Sequence, residues 1–174
     1  MLFRSGQYAL QANTTTSGST AVGYQSLYSN TGGSYQVAVG WSALYSNTTG
    51  DANVAVGRSA LYTNSTGSYN TALGYTALAS NTTASNNTAV GYQALYAATT
   101  NGRNTAVGYQ AGFNTAAGSG NNGNSFLGYR AGYGTANAYY VSAFGYSALE
   151  TNSSGIYLDA FGANALTEIG RAHV

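Results

Sequence analysis

Asn87-Thr88-Ala89-Val90-Gly91-Tyr92-Gln93-Ala94-Leu95-Tyr96-Ala97 decides the fold, because the same phrase recurs along the whole chain with small changes. Its glycine falls at Gly6, Gly23, Gly40, Gly57, Gly74, Gly91, Gly108, Gly128, Gly145 and Gly162, so eight of the nine spacings are 17 residues and one is 20. Taking that glycine as step 0, the unit reads Asn-Thr-Ala-Val-Gly-Tyr-Gln-Ala-Leu-Tyr-Ser-Asn-Thr-Thr-Gly-Ser-Tyr, and ten copies fill the chain. A fixed period of this length marks a solenoid whose units bury a core only by stacking. The unit is too short and too rich in Gly, Asn, Ser and Thr for helical repeats, and it carries β-branched and aromatic residues between its turn residues.

The fold read from this pattern is all-β: a parallel β-solenoid of ten 17-residue coils, with two strands of about five residues and two tight turns in each. The first strand is Thr-Ala-Val-Gly-Tyr. Alternation puts Ala21, Ala38, Ala55, Ala72, Ala89, Ala106, Ala143 and Ala160 on one face with the glycines, and Val22, Val39, Val56, Leu73, Val90, Val107, Leu127, Phe144 and Phe161 on the other. The glycines Gly23, Gly40, Gly57, Gly74, Gly91, Gly108, Gly128, Gly145 and Gly162 are read as structural, sitting where the strands of a narrow lumen nearly touch. The second strand is centred on Ala-Leu pairs such as Ala43-Leu44, Ala60-Leu61, Ala77-Leu78 and Ala94-Leu95. A lumen that small cannot hold every Val and Leu, so one apolar ladder is expected to face another copy of the chain.

Composition narrows the function. The 174 residues include 24 Gly, no Pro, no Cys and one His, only 5% are charged, and the formal net charge is +1. Five arginines against four acids leave no basic stripe for phosphates, so nucleic acid is not an expected partner. No eighteen apolar residues run together, and the start Met1-Leu2-Phe3-Arg4 leads into polar residues, so membrane insertion is not expected either. Asp51, Glu150, Asp159 and Glu168 occupy different steps, and only Glu150 and Asp159 lie in neighbouring coils. With His173 alone near the end, no nucleophile triad, Walker loop or dinucleotide fingerprint can be assembled, and the turns lack the regular aspartates of calcium-binding rolls. The expectation is a protein that is not an enzyme and uses no metal and no cofactor.

The Asn-Thr-Ala-Val-Gly unit, seen as Asn70-Thr71-Ala72-Leu73-Gly74, Asn87-Thr88-Ala89-Val90-Gly91 and Asn104-Thr105-Ala106-Val107-Gly108, resembles the head repeats of trimeric autotransporter adhesins and, more closely, repeats of bacteriophage tail fibres. The resemblance spans residues 6 to 166 and implies a left-handed, homotrimeric β-roll used for surface attachment. The unit here is longer than the adhesin repeat, and its tyrosine content is far higher.

Several repeated positions invite a functional reading. Aromatics recur at step +1 (Tyr24, Trp41, Tyr75, Tyr92, Tyr109, Tyr129, Tyr146) and at step +5 (Tyr28, Tyr45, Tyr62, Tyr96, Phe113, Tyr133), suited both to stacking between coils and to sugar rings. Tyr24, Trp41, Tyr75, Tyr92 and Tyr109 are the candidate ligand-binding set. Asparagines at step +7 (Asn13, Asn30, Asn47, Asn64, Asn81, Asn152) are expected to form an internal amide ladder. Asn13, Asn47, Asn64, Asn81 and Asn152 also lie in glycosylation sequons. The Thr pairs, such as Thr48-Thr49 and Thr82-Thr83, fit turn chemistry or a flat ice-binding array.

Two irregularities stand out. Three extra residues fall within Ala116 to Gly123, and on either side the step +4 leucine becomes Gly112 and Gly132, which points to altered packing at that corner. The repeat domain is placed at residues 1–167. Glu168 to Val174 forms an irregular tail that resembles the in-frame translation of a sequencing adapter, the alternative being a natural cap. The function expected from the sequence is a fibre segment and adhesin at an extracellular or virion surface that associates with itself and binds a cell-surface polysaccharide. A self-assembling structural filament is the alternative, and an ice-binding solenoid the third.

Overall fold

The computed structural model describes residues 2–115, 123–151 and 154–167, and within them the chain is a parallel β-solenoid without helices. Ten strands of three residues each form one sheet in the order β1 (Phe3–Ser5), β2 (Thr20–Val22), β3 (Val37–Val39), β4 (Val54–Val56), β5 (Thr71–Leu73), β6 (Thr88–Val90), β7 (Thr105–Val107), β8 (Ser125–Leu127), β10 (Ser142–Phe144) and β12 (Asp159–Phe161). The remaining two, β9 (Asn137–Tyr139) and β11 (Ser154–Ile156), pair with each other. Register is unbroken. Ala21 opposes Ala38, Ala38 opposes Ala55, and the ladder continues to Ala143 opposite Ala160. The twenty-residue spacing leaves this pairing intact, with Ala106 opposite Phe126.

The expected second strand is not a strand. Leu27, Leu44, Leu61, Leu78, Leu95 and Leu149 all have φ between 50° and 54°, and the residues at step +2, such as Gln25, Ser42 and Ser59, share that left-handed conformation. A strand requires negative φ throughout, so these segments are chains of turns. They still bind both neighbours. The step +2 N–H donates to the preceding coil (Ser42 N to Tyr24 O, 2.8 Å), and the step +4 N–H donates to the following one (Leu44 N to Ala60 O, 3.0 Å). The left-handed region costs a leucine about 1–2 kcal/mol. Its side chain lies wholly inside the lumen in each of these coils, and that burial contributes about 1.5–3 kcal/mol, so the strained conformation is held by the core.

The core is therefore three ladders, alanines at step −2, alanines at step +3 and leucines at step +4. The Val, Leu and Phe residues at step −1 point outward and are half-buried or exposed, with Leu127 at 51% and Phe161 at 64%. The step-0 glycines are needed for a reason other than lumen width. Each has φ between 115° and 139°, and a Cβ at Gly23 would lie 2.5 Å from the carbonyl oxygen of Gly40 in the next coil. The close approach runs along the solenoid axis, from coil to coil, rather than across the lumen.

One coil departs from the pattern. Phe126 takes the place of alanine in β8 and is 1% exposed in the lumen. A Cβ on Gly112 would sit 2.6 Å from its ring, and one on Gly132 would strike it as well. The leucines missing at steps +4 of these two coils have been replaced by a single aromatic ring. The positions 116–122 of the inserted residues lie outside the described residues, as do Asn152 and the tail at 168–174.

Candidate functional site

Stacking of identical coils turns each repeated side chain into a row, and the rows fall into an internal polar set and an external aromatic set. Inside, Asn47 Nδ2 donates to Asn30 Oδ1 (2.8 Å), Asn64 Nδ2 to Asn47 Oδ1 (2.9 Å) and Asn81 Nδ2 to Asn64 Oδ1 (2.6 Å). Each amide also donates to a turn carbonyl three residues on, as Asn64 does to Gly67 O at 2.9 Å. The expected amide ladder is present from Asn30 to Asn81, and Asn13 does not join it. It stops where Ala98 occupies the next rung, and Asn81 Oδ1 is left buried without a partner.

A second amide ladder runs at step −4, where the sequence reading used the asparagines only for the family resemblance. Asn70 N donates to Asn53 Oδ1 (2.9 Å), Asn87 N to Asn70 Oδ1 (3.0 Å), Asn104 N to Asn87 Oδ1 (3.0 Å) and Asn124 N to Asn104 Oδ1 (3.0 Å). The last of these bridges the inserted residues. A buried amide left unmatched costs about 1–3 kcal/mol, so two matched rows specify one register.

The sequon asparagines Asn47, Asn64 and Asn81 belong to the first ladder and are wholly buried, which leaves a glycan no access to them in the folded chain. Asn13 is half-buried and accepts a hydrogen bond from Thr16 Oγ1. Of the Thr pairs, the first member points at the next coil, as in Thr48 Oγ1 to Ser65 O (3.0 Å) and Thr82 Oγ1 to Thr99 O (3.1 Å). Thr49, Thr83 and Thr100 remain exposed.

Outside, the candidate residues Tyr24, Trp41, Tyr75, Tyr92 and Tyr109 lie in one row with Tyr129 and Tyr146, each between 38% and 56% exposed. Tyr75, Tyr92, Tyr109, Tyr129 and Tyr146 stack in sequence at 4.9 to 5.5 Å with planes within 9°. Tyr24 stacks on Trp41 at 6.1 Å. The rung between Trp41 and Tyr75 is filled by Arg58, whose guanidinium lies 4.8 Å from the Trp41 ring and 5.8 Å from that of Tyr75. Sequence reading passed over Arg58 because it is not aromatic, yet a planar cation stacks as well as a ring does. Ring faces in this row are thus covered by their neighbours, and the row presents ring edges and hydroxyls to solvent.

The step +5 row is half-buried and comes in two runs, Tyr28–Tyr45–Tyr62 at 5.0 and 5.2 Å and Tyr96–Phe113–Tyr133 at 5.1 and 5.0 Å. Ala79 occupies the rung between them. At the far end, Arg130 lies over Tyr133 (4.2 Å) and pairs with Glu150 (2.7 Å). Asp51 accepts from Ser34 N at 2.7 Å. Among the described residues no three His, Asp or Glu side chains are grouped, and no helix is long and apolar enough to cross a membrane.

Comparison of the chain with protein-family models, curated proteins and solved structures found no match.

Proposed function

We propose that this chain is a rigid segment of a surface fibre, extracellular or on a virion, that associates with copies of itself through its outer apolar ladder and holds a neutral cell-surface polysaccharide on its aromatic side. Catalysis, cofactors and metals have no part in this reading. The supporting observation is the division of labour between inside and outside. Alanine, leucine and asparagine rows fill the interior, while the repeated exterior groups, apart from Arg58 and Arg130 against the aromatic rows, are uncharged: phenol edges and hydroxyls, and Val22, Val39, Val56, Leu73, Val90 and Val107 on the face of the sheet. Contiguous apolar strips of this kind mark contact surfaces. The resemblance of the repeat to tail-fibre and adhesin repeats points the same way.

Two measurements on the purified chain test it. Light scattering should return a multiple of 17.8 kDa, a trimer for a closed fibre or a polymer for the filament alternative. Binding to neutral polysaccharide should persist unchanged from low to high salt, since few ion pairs are available to be screened. A monomer at micromolar concentration, or affinity that falls more than tenfold with salt, contradicts the reading.

A further inference from the structure

Inside the step +1 and step +5 rows a ring has its faces covered, except at the missing rung of the step +5 row. Successive rings there are 5.2 Å apart at Tyr45–Tyr62 and 5.1 Å at Tyr96–Phe113, so Tyr62 and Tyr96, two rungs apart, stand roughly 10 Å from each other with Ala79 on the rung between them, and both line one groove. Ala79 is 9% exposed and forms the floor. The gap opens into a surface groove of about 260 Å³ that is also lined by Ser59, Thr63, Thr76 and Ser80. Thr76 Oγ1 is buried without a hydrogen-bond partner. No charged side chain lines the groove.

We propose that this slot between Tyr62 and Tyr96 is a subsite for one neutral hexopyranose ring, held edge-on with each face against a tyrosine. The inference rests on the polysaccharide reading above and locates it. Two stacking distances of about 5 Å accommodate one flat ring and no more. A pyranose presents C–H groups on its faces and hydroxyls around its edge, which matches two aromatic walls and a groove lined by Ser59, Thr63, Thr76 and Ser80. An aromatic side chain of a partner protein would fill the same width but would leave those polar residues unmatched.

Trp41, the only tryptophan of the chain, also lines the groove, so its fluorescence reports on the slot. The probes are neutral trisaccharides of glucose, galactose and mannose, with N-acetyltyrosinamide as the aromatic competitor. The expected result is saturable quenching or a blue shift by at least one trisaccharide, weakened at least tenfold in Ala79→Tyr, which supplies the missing ring and should raise the melting temperature. Should that variant fail to fold, Tyr62→Leu removes one wall and should weaken binding by the same order, and Ala79→Ser should retain it. Saccharide binding that survives Ala79→Tyr, or Tyr62→Leu in its place, overturns the slot and leaves the polysaccharide reading standing. Binding of N-acetyltyrosinamide without any saccharide overturns the sugar assignment. If neither class of probe binds the unmodified chain, the slot and the polysaccharide reading both fall.

Discussion

The coils from Gly23 to Gly91 and the coil of Phe126 have the same backbone and different cores. In the first group an alanine at step −2 faces a leucine at step +4, both wholly buried. In the second a phenylalanine stands at step −2, and glycine stands at step +4 both in its own coil (Gly132) and in the preceding one (Gly112). The glycines keep the left-handed φ, 60° and 64°, that leucine adopts at 50° to 54°. What is conserved along the solenoid is the fill of the lumen rather than the residue at any one position, as expected of an interior packed to crystal-like density. The aromatic row follows the same rule from outside, where Arg58 replaces a ring without breaking the stack.

The comparison can be broken in order of decreasing effect. Gly91→Val and Gly128→Val lie one in each region and should be equally damaging, at least about 4 kcal/mol by urea denaturation, because the Cβ of either would strike the carbonyl of the next coil's glycine at a φ of 133°. A large difference between them would show that the axial contact is not uniform. Phe126→Ala should cost about 3–5 kcal/mol, since the glycines at step +4 of its own and the preceding coil have no side chain to fill the cavity. Asn64→Ala should cost about 1–3 kcal/mol in the same assay by leaving Asn47 Oδ1 unmatched. Thr135→Ala should cost less, because the Thr135 hydroxyl donates only within its own coil, to Gly132 O at 2.7 Å. Ser46→Ala, a half-buried surface change, should stay within about 0.5 kcal/mol and sets the baseline.

Period, sheet register and the step +7 amide ladder were legible in the sequence because each depends only on like residues stacking at equal spacing. Other features were not, each for a physical reason. Nothing in Leu44 or Leu61 announces a positive φ, since leucine avoids it unless burial offsets the strain, so these segments read as a strand. The step-0 glycines were recognised as structural, but alternation suggests a lumen contact where the structure has an axial one. Phe126 interrupts the alanine ladder and so drops out of a search for periodicity, although Gly112 and Gly132 had marked the corner as altered. For the candidate site, the five aromatics do share a row. Their covered faces and the empty rung at Ala79 depend on ring orientation, which spacing alone does not give.

The most direct test of the compensated lumen is a double-mutant cycle on Phe126→Ala and Gly132→Leu, read by urea denaturation. Leucine added alone meets the Phe126 ring and should destabilise the chain by about 1–3 kcal/mol. Together the two substitutions recreate the alanine and leucine of an ordinary coil, so the double variant should be more stable than Phe126→Ala alone, with a favourable coupling larger than the loss measured for Gly132→Leu. Additive losses, with the double variant the least stable of the set, would contradict the account.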